Sequence, residues 1–319
     1  MTQAEQHDAT PAPAETTTAA AGPIRAYKAF DKNLQCRGFQ FEVGQVYEHD
    51  GPVKACESGF HACENPLDVW SYYPLDSRYA VVELGGDVSC HDGDSKIAAA
   101  RIKISAEIAL PQIISDGVAY LMGLCKDAFA LKPGEDASGG YSQLAASGYD
   151  SQLAASGGYS QLAASGDGSK LAASGGYSKL AASGDRSKLA ASGDGSQLAA
   201  SGYDSKLAAS GNDSQLAASG YDSQLAASGN DSQLAASGDR SKLAASGYGS
   251  KLAASGENCV CVAASLGSTA RAGAGGAIAL TYHDGERYRI AVAYVGEDGI
   301  EPNVDYRVTD AGEFVKAQG

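Results

Sequence analysis

Positive charge is in short supply in this 319-residue chain: 24 Lys and Arg stand against 38 Asp and Glu, a formal net charge of −14 at pH 7. Direct nucleic-acid binding needs clustered Lys and Arg to neutralise phosphates, so this balance argues against it. An acidic surface serves solubility or attracts a basic partner. Long apolar runs are missing as well, since nothing approaches the ~20 consecutive apolar residues of a membrane helix. The basic start and apolar run of a secretory signal are also absent. The expectation is a cytoplasmic protein that makes no use of a membrane. Seven cysteines, odd in number and irregular in spacing, imply reduced thiols rather than a disulfide framework.

Catalytic signatures are equally scarce. No nucleophile–base pair stands at motif spacing and no glycine loop is built to cradle phosphate. There is no Cys-x-x-Cys knuckle. The phrase Cys56-Glu57-Ser58-Gly59-Phe60-His61-Ala62-Cys63 would need a further ligand such as Cys36 or Cys90 to hold zinc. Buried structural thiols are the expected reading. His61, at a strand end, is either a polar pocket residue or a satisfied structural one. No catalytic residue, metal or cofactor is assigned.

What the chain does have is a repeat. Leucine recurs every nine residues from Leu144 to Leu252, always in the phrase x-x-Ser-(Gln/Lys)-Leu-Ala-Ala-Ser-Gly. One such repeat cannot bury its own apolar face, so the array reads as a solenoid. A glycine every nine residues costs about 1 kcal/mol each inside a helix, which excludes one. The Gly-x-x-Ser corners are turn chemistry, with Gly, Asp and Asn supplying left-handed conformations. Strand alternation places Ser142, Leu144 and Ala146 inward and Gln143, Ala145 and Ser147 toward solvent.

Similarity at eighteen residues exceeds similarity at nine. Gly140-Tyr141 matches Gly158-Tyr159 and Gly176-Tyr177 rather than its neighbour Tyr149-Asp150, and Lys is commoner in alternate repeats. Two repeats therefore form one coil, and about seven coils give a rod of ~33 Å at the ~4.8 Å strand spacing. Stacking predicts one tyrosine ladder from Tyr141, Tyr159 and Tyr177 and another, on the opposite side, from Tyr203 and Tyr221. These ladders stabilise the stack or serve as binding surfaces.

Ready-made solenoid functions do not fit. Calcium rolls use Gly-Gly-x-Gly-x-Asp-x-(apolar)-x, whereas Gly211-Asn212-Asp213-Ser214-Gln215-Leu216 places Leu one residue late. Ice-nucleating solenoids share phrases such as Gly247-Tyr248-Gly249-Ser250 but present outward Thr-x-Thr rows. A DNA mimic needs a dense negative row, yet Gly140 to Asn258 holds ten acidic against eight basic residues.

The flanks complete the expected architecture: a mainly β chain whose eighteen-residue-coil solenoid (135–265) lies between a small α/β domain (24–110) and a C-terminal β cap (266–319). Residues 1–23 are Ala-, Thr- and Pro-rich and read as a disordered tail. Strands are expected at Ile24–Phe30, Phe39–Val46, Tyr79–Leu84 and Ala100–Leu110, with a helix starting near Asn65-Pro66. Ile113 to Leu131 has helical periodicity and is expected, within 111–134, to cover the solenoid's open end. A hairpin is expected from Ala277–His283 and Tyr288–Val295, then strands at Asp305–Val308 and Glu313–Lys316. Cys259 and Cys261 continue the inward alternation.

Tyr27-Lys28-Ala29-Phe30, the stretch Cys36 to Gly44, the Cys56 to Val69 phrase, His91-Asp92-Gly93-Asp94-Ser95-Lys96 and Asp298-Gly299-Ile300-Glu301-Pro302 together carry a resemblance. With the nonapeptide array, the chain resembles a family of uncharacterised phage and prophage proteins whose repeats are sometimes labelled ice-nucleation-like. The resemblance implies an accessory protein acting in the host-cell cytoplasm. The expected function is non-enzymatic: a scaffold binding a host protein or complex, including an inhibitor of anti-phage defence, with pairing of two copies through the tyrosine ladders as a further assembly. An ADP-ribosyltransferase-like enzyme in the N-terminal domain, or an ice-active or structural rod, is the alternative.

Overall fold

A computed structural model of the chain describes residues 18–19, 22–75, 77–91, 94–124, 136–137 and 139–317. Nearly all of the N-terminal tail and residues 125–135 lie outside this set, so the disorder expected of the former and the last part of the helix expected in the latter do too.

Each repeat supplies one four-residue strand, and strands two repeats apart pair in parallel and in register, Gln161 with Lys179 and Leu162 with Leu180. The coil is therefore eighteen residues long, with one strand on each of two sheets, and about eight coils stack. Ser160, Leu162 and Ala164 are completely buried, and so are their counterparts one coil on, Ser178, Leu180 and Ala182. A buried hydroxyl needs a partner or costs about 1–3 kcal/mol. Here each serine donates to the carbonyl of the glycine three residues before it, as Ser169 does to Gly166 at 2.6 Å.

The corners correct one expectation. The left-handed residue is the second of the two variable ones; it is Asp, Gly or Asn at most corners, as expected, but Tyr or Arg at five of them, Tyr141, Tyr159, Tyr177, Arg186 and Arg240. The glycine that recurs in every repeat is needed for a different reason. A Cβ on Gly220 would stand 2.0 Å from the Gly202 carbonyl oxygen of the neighbouring coil, and from Gly157 to Gly256 the recurring glycines are as tightly placed. It is coil-to-coil approach, not turn conformation, that requires glycine there. The first variable residue ties coils together when it is Asp or Asn: the Tyr203 amide donates to Asp185 Oδ1 (2.8 Å) and the Asn230 amide to Asn212 Oδ1 (2.9 Å).

The N-terminal unit is a sheet curled on itself, because Arg78–Cys90 pairs with both Ile24–Phe30 and Lys96–Ile108. Of the expected Phe39–Val46 strand only Phe39–Gln40 and Val46–Glu48 form, while the two central strands run longer than expected. Asn65 caps a 3₁₀ helix, Pro66–Ser71, by accepting from the Leu67 amide. The following helix α1, Leu110–Leu124, does not cover the solenoid's open end. It lies across the flank of one solenoid sheet, against strands from Gln143–Ala146 to Gln215–Ala218.

This docking makes the two solenoid faces unlike. On the covered sheet the outward alanines Ala163, Ala181, Ala199, Ala217 and Ala235 are buried in one cluster with Leu67, Trp70, Ile114 and Leu121. The outward Gln/Lys row, expected in solvent, instead bonds the 3₁₀ segment. Gln215 donates to the Trp70 carbonyl (2.7 Å), Gln197 to Ser71 Oγ (3.2 Å), and Lys179 pairs with the buried Asp68. Methyl-sized side chains on the sheet let the helices approach closely. Gly117 serves the same end, since a Cβ there would meet Leu67 Cδ2 at 2.6 Å.

At the C-terminal end Ala277–His283 adds in parallel as a last coil strand, and Tyr288–Tyr294 closes that sheet antiparallel to it. Tyr306–Val308 and Phe314–Lys316 finish the other sheet. Cys259 and Cys261 are buried in the solenoid core.

Candidate functional site

The uncovered solenoid sheet is a broad, regular surface. Its outward positions form three parallel rows: Lys170, Lys188, Lys206 and Lys242 with Gln152 and Gln224; then Ala154 to Ala244; then Ser156 to Ser246. In-register pairing puts Lys170 beside Lys188 and Lys188 beside Lys206. The near-neutral count of the repeats thus conceals a segregation. Lysines occupy the flat face, while acids such as Asp185, Asp204 and Asp239 sit at the corners.

Tyrosines border this face on both edges. Tyr141, Tyr159 and Tyr177 stack at centroid separations of 5.1 and 5.2 Å, and Tyr203 stacks on Tyr221 at 5.4 Å. All five rings are exposed. The first ladder follows the serine row, and the second precedes the lysine row.

The face ends in an apolar patch. On the Tyr288–Tyr294 strand the bulky residues point outward, leaving Tyr288, Ile290, Val292 and Tyr294 between 54% and 68% exposed while Ala293 is buried. Val260 and Val262, on the strand before Ala277–His283, are outward on the same face. Alternation alone would place the bulky set inward. The core is too narrow for it, because Leu280 and Ile278 already fill the space and leave room only for alanine.

The N-terminal unit holds a second feature, a cavity of about 630 Å³ that includes His61 in its wall. Ile24–Phe30 and Phe60–Cys63 share a single register pair, Tyr27 with Cys63, and part beyond it. Lys28 bridges the gap. Lys28 is only 4% exposed, and its ammonium donates to the His61 carbonyl at 3.0 Å and lies 3.5 Å from both Tyr73 Oη and Cys36 Sγ. Burial lowers the Lys28 pKa, with neighbouring Cys36 acting the other way. The His61 ring is held below its usual value by burial and then by the positive charges of Lys28, Lys96 and Arg37. His61 Nε2 is buried and has no hydrogen-bond partner among the described residues. Cys36 and Tyr73 share a hydrogen bond of 2.8 Å.

His61 and the tyrosine ladders, singled out from sequence, lie in separate places: the histidine in the cavity wall and the rings on the solenoid corners. Lys28 and the outward apolar strand were missed. The one signal for Lys28 was a lysine set between Tyr27 and the Ala29-Phe30 pair in the strand Ile24–Phe30, whose other charged residue, Arg25, is exposed. Of the Cys56–Cys63 phrase, Cys63 is buried but Cys56 is exposed, as is Cys90, so the expectation of buried thiols holds for one end only. Among the described residues no three His, Cys, Asp or Glu side chains are grouped to hold a metal ion, and no helix is long and apolar enough to cross a membrane.

Comparison with known proteins places residues 24–116 in match with a family model described as a domain of unknown function, DUF7666. A stretch of 44 residues, 14% of this chain, is 52% identical to the "Uncharacterized protein YdhT" of Escherichia coli K12, of whose length the match spans 16%. No solved structure matches the chain.

Proposed function

We propose that this protein is a non-enzymatic interaction scaffold whose uncovered solenoid sheet docks a protein partner with an acidic, flat surface. The observation that carries this reading is the bare face itself: a lysine ladder running into an exposed patch of Ile290, Val292, Tyr288 and Tyr294. Contiguous exposed apolar side chains beside ordered charge mark interaction surfaces. About 30 Å of stacked strands by about 20 Å of width gives on the order of 600 Å², near the lower bound for a specific interface. A second copy is disfavoured as the occupant, since face-to-face pairing would set like-charged lysine rows against each other. The phage or prophage setting implied by the sequence resemblance makes a host protein, including a component of anti-phage defence, the first partner to seek.

Replacing Lys170, Lys188, Lys206 and Lys242 together by Glu is expected to weaken partner capture from host lysate at least tenfold, with an unchanged circular dichroism spectrum. Capture by the unmodified protein should fall as salt rises. Equal recovery of the same stoichiometric partner by both proteins would place the interface elsewhere. A dimer lost on Ile290→Asp would make a second copy the occupant.

A further inference from the structure

We propose that the cavity of the N-terminal unit binds a small organic anion, a flat carboxylate or phosphate ester, with its charged group on Lys28 and His61 and its body against Phe39, Phe41 and Phe60. This rests on different residues from the scaffold reading and stands or falls separately.

Lys28 is the starting point. A buried ammonium needs a counter-ion as well as hydrogen-bond acceptors. Its acceptors here are a carbonyl, a phenol and a thiol, and among the described residues no carboxylate lies within ion-pair distance. The rings of Phe30, Phe41 and Tyr73 surround it at 5.5, 5.7 and 5.8 Å, which supplies partial compensation through their negative faces. The charge is held, but not neutralised.

The cavity beside it is built for the missing sign. Arg37 and Lys96 line it together with Lys28, against one acid, Glu57. His61 presents a buried ring nitrogen with no partner, a group that is costly unless a ligand satisfies it. The adjoining wall is aromatic: Phe39 and Phe41 pack at 4.8 Å, and Phe60 lies 6.0 and 6.1 Å from them. At about 630 Å³ the space falls in the range of small-molecule sites, and a few polar groups converging in an apolar pocket is their usual form. A purely structural lysine would explain its own burial, but not the unpartnered Nε2 of His61 or the two further cations.

The test is calorimetric titration of the full chain with three probes of one shape: 1-naphthoate, 1-naphthyl phosphate and the uncharged 1-naphthamide. Saturable binding of at least one anion is expected, with the amide at least tenfold weaker. The stronger anion identifies the headgroup. Lys28→Met should abolish this preference, and Arg37→Ala, an exposed substitution that leaves the core intact, should weaken the anion at least threefold. Should Lys28→Met fail to fold, Arg37→Ala decides. Binding of the amide as tight as the anions, binding of none of the probes, or an Arg37→Ala protein that binds unchanged would overturn the proposal.

Discussion

Gly220→Ala is expected to destabilise the solenoid by more than about 3 kcal/mol. The added methyl would lie 2.0 Å from the Gly202 oxygen and 2.5 Å from its carbonyl carbon. Neither atom belongs to a side chain that can swing away. Relief requires the two coils to separate, and separation stretches the in-register ladders on both sheets at once. In a stack where each coil contacts only its neighbours, a break in the middle also uncouples the two halves. Gly168→Ala provides the comparison. Gly168 is left-handed, with φ of +72°, but an added Cβ meets the Asp150 carboxylate, which can rotate. Other coils already hold Tyr or Arg in the equivalent conformation, so the cost there should be about 1–2 kcal/mol. Urea unfolding of the two variants checks the order. If Gly168→Ala proves the more damaging, the recurring glycine is not a spacing residue.

Lys179→Met is the second large effect, about 3–5 kcal/mol, because it leaves a buried carboxylate without its cation. Asp68 is 2% exposed and sits between the N-terminal unit and the solenoid. Its oxygens also accept from Asn65 Nδ2 at 3.0 Å and from the Ser95 amide and hydroxyl at 3.0 and 2.8 Å. Those neutral donors orient the carboxylate without balancing its charge. The same substitution at Lys251, an exposed member of the same row, should change stability by less than about 0.5 kcal/mol. Adding Asp68→Asn to Lys179→Met should recover part of the loss, since contacting residues are not additive. Thermal melts of the four proteins measure this coupling. A Lys179→Met protein as stable as Lys251→Met would show that the pair does not hold the two units together.

The solenoid was legible because its signal is redundant. The nine-residue leucine spacing marks the strands, and the next-but-one match of Gly140-Tyr141 with Gly158-Tyr159 marks the coil. Inward Ser, Leu and Ala and the stacked tyrosines follow from that register alone. Which face would be covered did not follow. Ala163 and Ala172 have the same local sequence, yet one is buried by α1 and the other is open, a difference set by residues some fifty to a hundred positions away. Periodicity located α1 but could not say whether its apolar stripe met an end or a flank. The outward row from Tyr288 to Tyr294 reversed the usual alternation because the core it joins was already full. Lys28 was hidden for another reason: a buried cation looks like a solvent-facing one until the strand is folded.

The mismatch between a nine-residue sequence unit and an eighteen-residue coil also limits how the gene can change length. Loss or gain of a single unit by slippage between near-identical copies would rotate everything downstream by half a coil. The C-terminal hairpin would then arrive on the other side, and the lysine-bearing strands beyond the junction would turn toward α1 and the Pro66–Ser71 segment. Loss or gain of two units preserves both faces and merely shortens or lengthens the rod. Length variants that keep the two faces distinct should therefore come in steps of whole coils, and the array can be adjusted in span without disturbing what each side presents.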